Sequence, residues 1–179
     1  MEFNLEPSDI LERANRIKLL ILDVDGVLTA GELFLNDSGQ EIKAFNTLDG
    51  QGIKLLQGAG VQVAIISGRK SNLVASRAKN LGIDILFQGR EDKLNALNEL
   101  CQEHGISADC IAYVGDDLPD IKVMKAVQLS FAVANAHQEV KKVALAQTEL
   151  AGGHGAVREV CDFILEAQNK YEAAIEPFL

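Results

Sequence analysis

The stretch Ile17–Thr29, IKLLILDVDGVLT, decides how the rest of the chain is read. Its apolar run Leu19–Leu22 is unbroken, the pattern of a strand buried on both faces of a helix-covered parallel sheet. Asp23 and Asp25 follow at the carboxyl end of that strand. Side chains at i and i+2 of an extended segment point the same way, so the two carboxylates can face one spot. Gly26 lets the backbone turn sharply behind them. Like charges held together are costly unless a cation or a shared proton relieves them. A plain strand running into an Asp-Gly turn also fits Asp-Val-Asp-Gly, and the segments downstream separate the two readings.

The chain has 179 residues and 47% hydrophobic content, enough for one domain with a full core, 1–179, and too apolar for a disordered one. Its net charge is −9 and its sequence pI about 4.8. That balance argues against nucleic acid as the main partner, because phosphate backbones recruit Lys and Arg. A small anionic substrate needs only a local cluster of cations. The opening MEFNLEPSD is acidic and does not read as a secretory signal, and no apolar run approaches the length of a membrane span. Cys101, Cys110 and Cys161 are odd in number and lack metal-ligand spacing. They read as reduced core thiols of a cytoplasmic protein.

Outward from the first strand, read as Lys18–Val24, the pattern alternates. Ser8 after Pro7 can cap a short helix over about Asp9–Asn15. Gly31–Asn46 holds two short alternating runs about Asn36-Asp37-Ser38-Gly39, the signature of a β-hairpin with a four-residue turn. A helix is expected over Gly52–Ala59, a strand over Val61–Ile66, a helix over Asn72–Leu81 and a brief strand over Ile85–Phe87. A helix over Lys93–His104 follows, with Leu94, Leu97 and Leu100 on one face. Ile111–Val114 and Leu129–Val133 read as the remaining strands and Ala156–Tyr171 as the final helix. Strands alternating with helices predict an α/β fold, a doubly wound, Rossmann-like parallel sheet covered on both faces. Ligands of such sheets sit beyond the carboxyl ends of the strands.

Chemistry-bearing residues recur at those ends: Asp23 and Asp25, then Ser67-Gly68-Arg69, then Lys93 opening a helix, then Gly115-Asp116-Asp117-Leu118-Pro119-Asp120. Together they offer an acidic cluster for a hard cation, and a hydroxyl and an ammonium for an anion. Oxygen ligands without His or Cys suit Mg²⁺, which binds through one or two carboxylates plus phosphate and water. His104, His137 and His154 are scattered and read as structural or surface residues. Singly, Ser67 fits a turn and Lys93 a solvated first-turn lysine.

The ordered set resembles the haloacid dehalogenase (HAD) superfamily of phosphatases. DVDGVLTAGELF, FNTLDGQGIKLL, ISGR, YVGDDLPD and GGHGAVREV are more closely similar to its small, cap-less sugar-acid phosphatases, which act on 3-deoxy-D-manno-octulosonate 8-phosphate. The resemblance spans about Ile17–Val160. It implies Mg²⁺-dependent hydrolysis of that phosphate monoester, a step of lipopolysaccharide precursor synthesis. Asp23 would be the nucleophile and Asp25 the general acid and base. Mg²⁺ would be held by Asp23, Asp116 and the backbone carbonyl of Asp25. Ser67 and Lys93 would bind phosphoryl oxygens, while Asp117 or Asp120 orients Lys93 or supports the metal ligands. Asn46, Thr47, Leu48, Asp49, Gly50, Lys54, Arg69 and Arg77 would contact the substrate, with Arg158 a further candidate.

Forty-four positions separate Asp23 from Ser67 and 26 separate Ser67 from Lys93, which leaves no room for a cap domain. Closure of the site would then fall to the hairpin flap or to a neighbouring subunit. A homo-oligomer is expected, and the resemblance points to a homotetramer. The end of the chain, with its apolar tip Pro177-Phe178-Leu179, reads as a frayed tail or as a segment reaching a neighbour's site. Two other readings share these stations: a phosphatase of a nine-carbon sugar-acid phosphate, and a non-enzymatic receiver-like phospho-acceptor. The second expects a Lys after the last strand, where this chain has Ala134-Asn135.

Overall fold

A computed structural model describes residues 1–179. In chain order its elements are β1 (Glu2–Phe3), α1 (Pro7–Asn15), β2 (Leu19–Leu22), β3 (Phe34–Leu35), β4 (Glu41–Ile42), α2 (Thr47–Gly58), β5 (Gln62–Ser67), α3 (Asn72–Leu81) and β6 (Ile85–Gln88). There follow α4 (Lys93–His104), β7 (Ile111–Gly115), α5 (Ile121–Met124), β8 (Leu129–Ala132), α6 (Gln138–Val143), β9 (Ala146–Gln147), α7 (Ala156–Ala167) and α8 (Tyr171–Ile175).

The main sheet has seven strands in the order β1-β9-β8-β7-β2-β5-β6. It is parallel except for β1, which pairs antiparallel with β9. β2 is central, with Leu22 opposite Ile65 of β5 on one side and Val114 of β7 on the other. All four of its residues are buried, as its unbroken apolar run requires. The chain leaves β2 for β5 and β6, then returns to β7 on the opposite flank. That reversal puts a switch point at the carboxyl ends of β2 and β7, directly before Asp23 and Asp116. On one side α2, α1 and α7 pack together; α4, α5 and α6 pack in series. The 47 buried hydrophobic residues form one cluster. No helix is long and apolar enough to cross a membrane.

α3 and α4 match their expected ranges, each closed by a glycine in the left-handed region, Gly82 and Gly105. α2 starts at Thr47 rather than the expected Gly52, because the Asn46 side chain accepts the Leu48 N–H and caps it. Its glycines serve packing. A Cβ on Gly52 would lie 2.8 Å from Arg158 Cδ and 3.0 Å from Arg158 Cα, so the residue lets α2 approach α7 closely. The final helix stops at Ala167 rather than Tyr171, where Asn169 takes a φ of 55° and the chain restarts as α8. The sheet also continues past β8, through edge strands β9 and β1 of two residues each, too short to show periodicity. Of the expected core thiols only Cys161 is buried; Cys101 and Cys110 are half-buried, and all are free. The hairpin β3–β4 stands apart from the main sheet, and its turn is closed by Gly39 N–H donating to the Asn36 carbonyl at 2.9 Å.

Candidate active site

The strand ends meet at one open cavity of about 690 Å³. Asp23, Asp25, Ser67, Arg69, Lys93 and Asp116 all line it, and Pro119 is its one apolar side chain. Asp23 leaves β2 with its N–H on the Val114 carbonyl at 3.1 Å, which ties it to β7. Gly26 follows with a φ of 98°, and a Cβ there would lie 2.0 Å from Asp116 Oδ2. Only glycine therefore lets this turn close over the Asp116 carboxylate.

Lys93 is buried at the start of α4 between two carboxylates, with Nζ 2.9 Å from Asp23 Oδ1 and 2.6 Å from Asp120 Oδ1. Asp120 is fully buried and saturated. Its Oδ1 also accepts the Tyr113 hydroxyl at 2.6 Å, and its Oδ2 accepts the Asp116 and Asp117 N–H groups at 3.0 and 3.2 Å. Asp120, not Asp117, is thus the residue that holds Lys93. Burial first, then the nearby Asp120 charge, pushes Asp23 up to about 6, against the opposing pull of Lys93. Burial, with the Asp23 and Asp120 charges, pushes Asp116 up to about 8. Burial alone would lower Lys93, but the Asp23 and Asp120 charges outweigh it and leave Lys93 raised. Burial and the same carboxylates hold Tyr113 well above its ordinary value, so it stays a neutral donor.

Oxygens of Asp23, Asp116 and Asp120 lie within 4.8 Å of one another, and Asp116 Oδ1 is buried without a hydrogen-bond partner. Three carboxylates against one ammonium, with an orphaned oxygen among them, fit a hard divalent cation bound by oxygen. Because both Asp120 oxygens already accept two donors each, the free ligand capacity lies with Asp23 and Asp116.

Known proteins share this fold and much of this sequence. The sequence pattern of the haloacid dehalogenase-like hydrolases matches residues 83–160. The chain is 48% identical over 167 residues to the 3-deoxy-D-manno-octulosonate 8-phosphate phosphatase KdsC of Escherichia coli K12, covering 93% of this chain and 89% of that one. The Moraxella catarrhalis 3-deoxy-D-manno-octulosonate 8-phosphate phosphatase, solved with magnesium, phosphate and KDO, superposes with a TM-score of 0.95 at 43% identity, over 97% of this chain and all of that one. The Yersinia pestis phosphatase of the same name gives 0.90 at 49% identity, over 92% and 89%. The chain belongs to the 3-deoxy-D-manno-octulosonate 8-phosphate phosphatases, within the haloacid dehalogenase-like hydrolases.

The expected substrate contacts of this phosphatase-family chain divide. Arg69 lines the cavity; residues 46–50, Lys54 and Arg77 do not. Asn46 caps α2 and donates to the Gly153 carbonyl. Asp49 is buried and turned inward: its Oδ1 accepts the Arg158 N–H at 2.9 Å, so it caps α7, and burial raises it. Arg77 donates to the Asn46 carbonyl and lies over the Phe45 ring. Lys54 lines a separate cleft of about 350 Å³ with Lys170 and Pro177. Arg158 is bound to Asp162. Gly152 and Gly153 pack against the turn that follows Asp25: a Cβ on Gly152 would lie 1.7 Å from the Gly26 carbonyl oxygen. Tyr113, Glu41 and Lys43 escaped the sequence reading. Their signals were a phenol inside the apolar run IAYV, and two charges at i, i+2 in EIK.

Proposed function

We infer that this chain is a Mg²⁺-dependent phosphatase that hydrolyses 3-deoxy-D-manno-octulosonate 8-phosphate. The observation that carries the reading is the orphaned, charge-crowded pocket of Asp23, Asp116 and Lys93 at the switch point, in a chain 48% identical to a phosphatase of that ester over 93% of its length. Asp23 attacks phosphorus, and the bond from phosphorus to the sugar oxygen breaks as an aspartyl-phosphate forms. Asp25 gives its proton to the departing alkoxide. The Asp25 carboxylate then takes a proton from water as the water oxygen attacks phosphorus, releasing phosphate and restoring Asp23. Lys93 and the Ser67 hydroxyl hold phosphoryl oxygens, which carry the charge of a loose transition state. Asp23, Asp116 and the Asp25 carbonyl would hold Mg²⁺, which when bound offsets the repulsion between the carboxylate and the phosphate anion. Asp120 aims Lys93.

We assign the carboxylate of the sugar acid to Arg69, which lines the cavity and has a planar fork suited to it. Lys54, Arg77 and residues 46–48 lie off this chain's cavity, so contacts from them to substrate require a second copy, whereas Asp49 and Gly50 are buried. A homotetramer is our reading of the assembly. The hairpin supports it, because Leu33, Phe34, Leu35 and Ile42 are each more than half exposed there.

The test is phosphate release with Mg²⁺ from eight- and nine-carbon sugar-acid phosphates side by side, with Asp23→Asn as the control. Turnover of the eight-carbon ester that is abolished by Asp23→Asn is expected. Full turnover by that variant sinks the assignment of the nucleophile.

A further inference from the structure

We propose that Lys43 is a positioning residue of the hydrolysis, one that holds one oxygen of Asp25 so that the other is turned to the leaving oxygen of the substrate. The proposal rests on the general-acid role given to Asp25 above.

Lys43 lies one residue beyond β4, at the base of the hairpin. Its side chain is 3% exposed, an unusual state for a lysine. A buried ammonium is tolerated only when paired, and Lys43 has two carboxylates to pair with. Nζ donates to Asp25 Oδ1, a hydrogen bond buried from most solvent. It also lies 3.3 Å from Glu41 Oε1. Glu41 Oε1 in turn lies 3.0 Å from Arg69 Nη2, on the loop that follows β5. Both Glu41 contacts are ion pairs without hydrogen-bond geometry, since Oε1 is buried with no hydrogen-bond partner. Charge alternates along the row Asp25, Lys43, Glu41 and Arg69, which spans from the first strand end to the second by way of the hairpin.

The row has a chemical consequence. Asp25 follows β2 on a turn, and its side chain remains 25% exposed, so packing alone does not fix its rotamer. General acid catalysis needs the donor within hydrogen-bond reach of the leaving oxygen. A cation on Oδ1 removes the freedom to swap the two oxygens and leaves Oδ2 as the one free to serve the cavity that Asp25 lines. The proton itself comes from Asp25 and goes to the alkoxide; Lys43 neither gains nor loses one. Because the cation is carried by the hairpin, the flap that the missing cap domain would replace also aims the acid.

The test uses leaving groups of different need. A sugar phosphate expels an alkoxide that must be protonated, whereas p-nitrophenyl phosphate expels a stabilised phenolate that needs no acid. Lys43→Met keeps the length and removes the cation. It is expected to lower kcat/KM, which reports the steps up to departure of the leaving group and not the later attack of water that both substrates share, at least ~10-fold on the sugar phosphate against less than ~3-fold on p-nitrophenyl phosphate, a fraction of the ~10²–10⁴-fold that general acid catalysis supplies. Lys43→Arg recovers part of the loss. Glu41→Gln, which loosens Lys43 without removing it, gives a smaller loss with the same bias between substrates. Thermal melting of each variant reports the fold independently. Equal losses on both substrates, or no loss on either, overturn the proposal. Asp25→Asn is run in parallel. If it too falls equally on both substrates, the acid assignment itself fails; if it shows the bias and Lys43→Met does not, only the role of Lys43 fails.

Discussion

Replacing Asp120 by Asn changes one atom in a fully buried carboxylate, and the structure sets the size of the effect. Asp120 accepts four hydrogen bonds, from Lys93 Nζ, Tyr113 OH and the Asp116 and Asp117 N–H groups. An amide can turn its oxygen to only one of those pairs, and its NH₂ then faces two donors. Breaking one partner of a buried pair costs about 3–5 kcal/mol. The change also removes one of three negative charges within 4.8 Å, which returns part of that loss. A net destabilisation of about 2–4 kcal/mol follows. For a chain of this size that lowers Tm by roughly 5–15 °C. Lys93 keeps Asp23 but loses the charge of its second anchor, and a misplacement on the order of 1 Å costs roughly 10²-fold in kcat. Urea unfolding followed by fluorescence or circular dichroism, with phosphate release at saturating Mg²⁺, measures both. A variant within about 0.5 kcal/mol of the parent, turning over at the parental rate, refutes the idea that Asp120 holds Lys93.

Three further outcomes are expected. Asp23 and Asp116 bind protons more tightly in the folded metal-free chain than at their usual value of 3.8, so the folded state carries the extra protons. The stability they contribute is therefore full below that value and is lost as pH rises through about 6 and then about 8. Calorimetry of the metal-free protein from about pH 5.5 to about pH 8.5 should show falling Tm, with Mg²⁺ closing the gap at the alkaline end; the same pH dependence with and without Mg²⁺ contradicts this. Gly152→Ala should unfold the chain at lower urea and reduce turnover, since its Cβ would lie 1.7 Å from the Gly26 carbonyl oxygen, whereas Gly58→Ala, with nothing within 4 Å, should stabilise α2 by about 0.5–1 kcal/mol. Phe34→Ser with Ile42→Ser should lower the sedimentation mass of the assembly without changing the monomer's circular dichroism; an unchanged mass removes the hairpin from the subunit contact.

Local rules carried the reading where the signal is local. Leu19–Leu22 had to be a buried central strand, and the acids and cations at the ends of β2, β5 and β7 had to gather wherever a parallel sheet brings those ends together. Asp23, Asp25, Ser67, Lys93 and Asp116 accordingly surround one cavity. Signals of two residues, such as β1 and β9, fall below any period. The packing roles of Gly50 and Gly52 were not legible, because their use is a close approach to Arg77 and Arg158 from distant segments.

The sequence by itself determined the inner parallel strands, the order of the motifs and the chemistry available at the strand ends, since each depends on spacing along the chain. Only the tertiary structure decided which of Asp117 and Asp120 holds Lys93, which cation faces the cavity, that Asp49 turns inward to cap α7, and that Lys43 of the hairpin reaches Asp25. Those are choices between side chains of like chemistry, and what separates them is burial and the direction of a hydrogen bond between residues far apart in sequence.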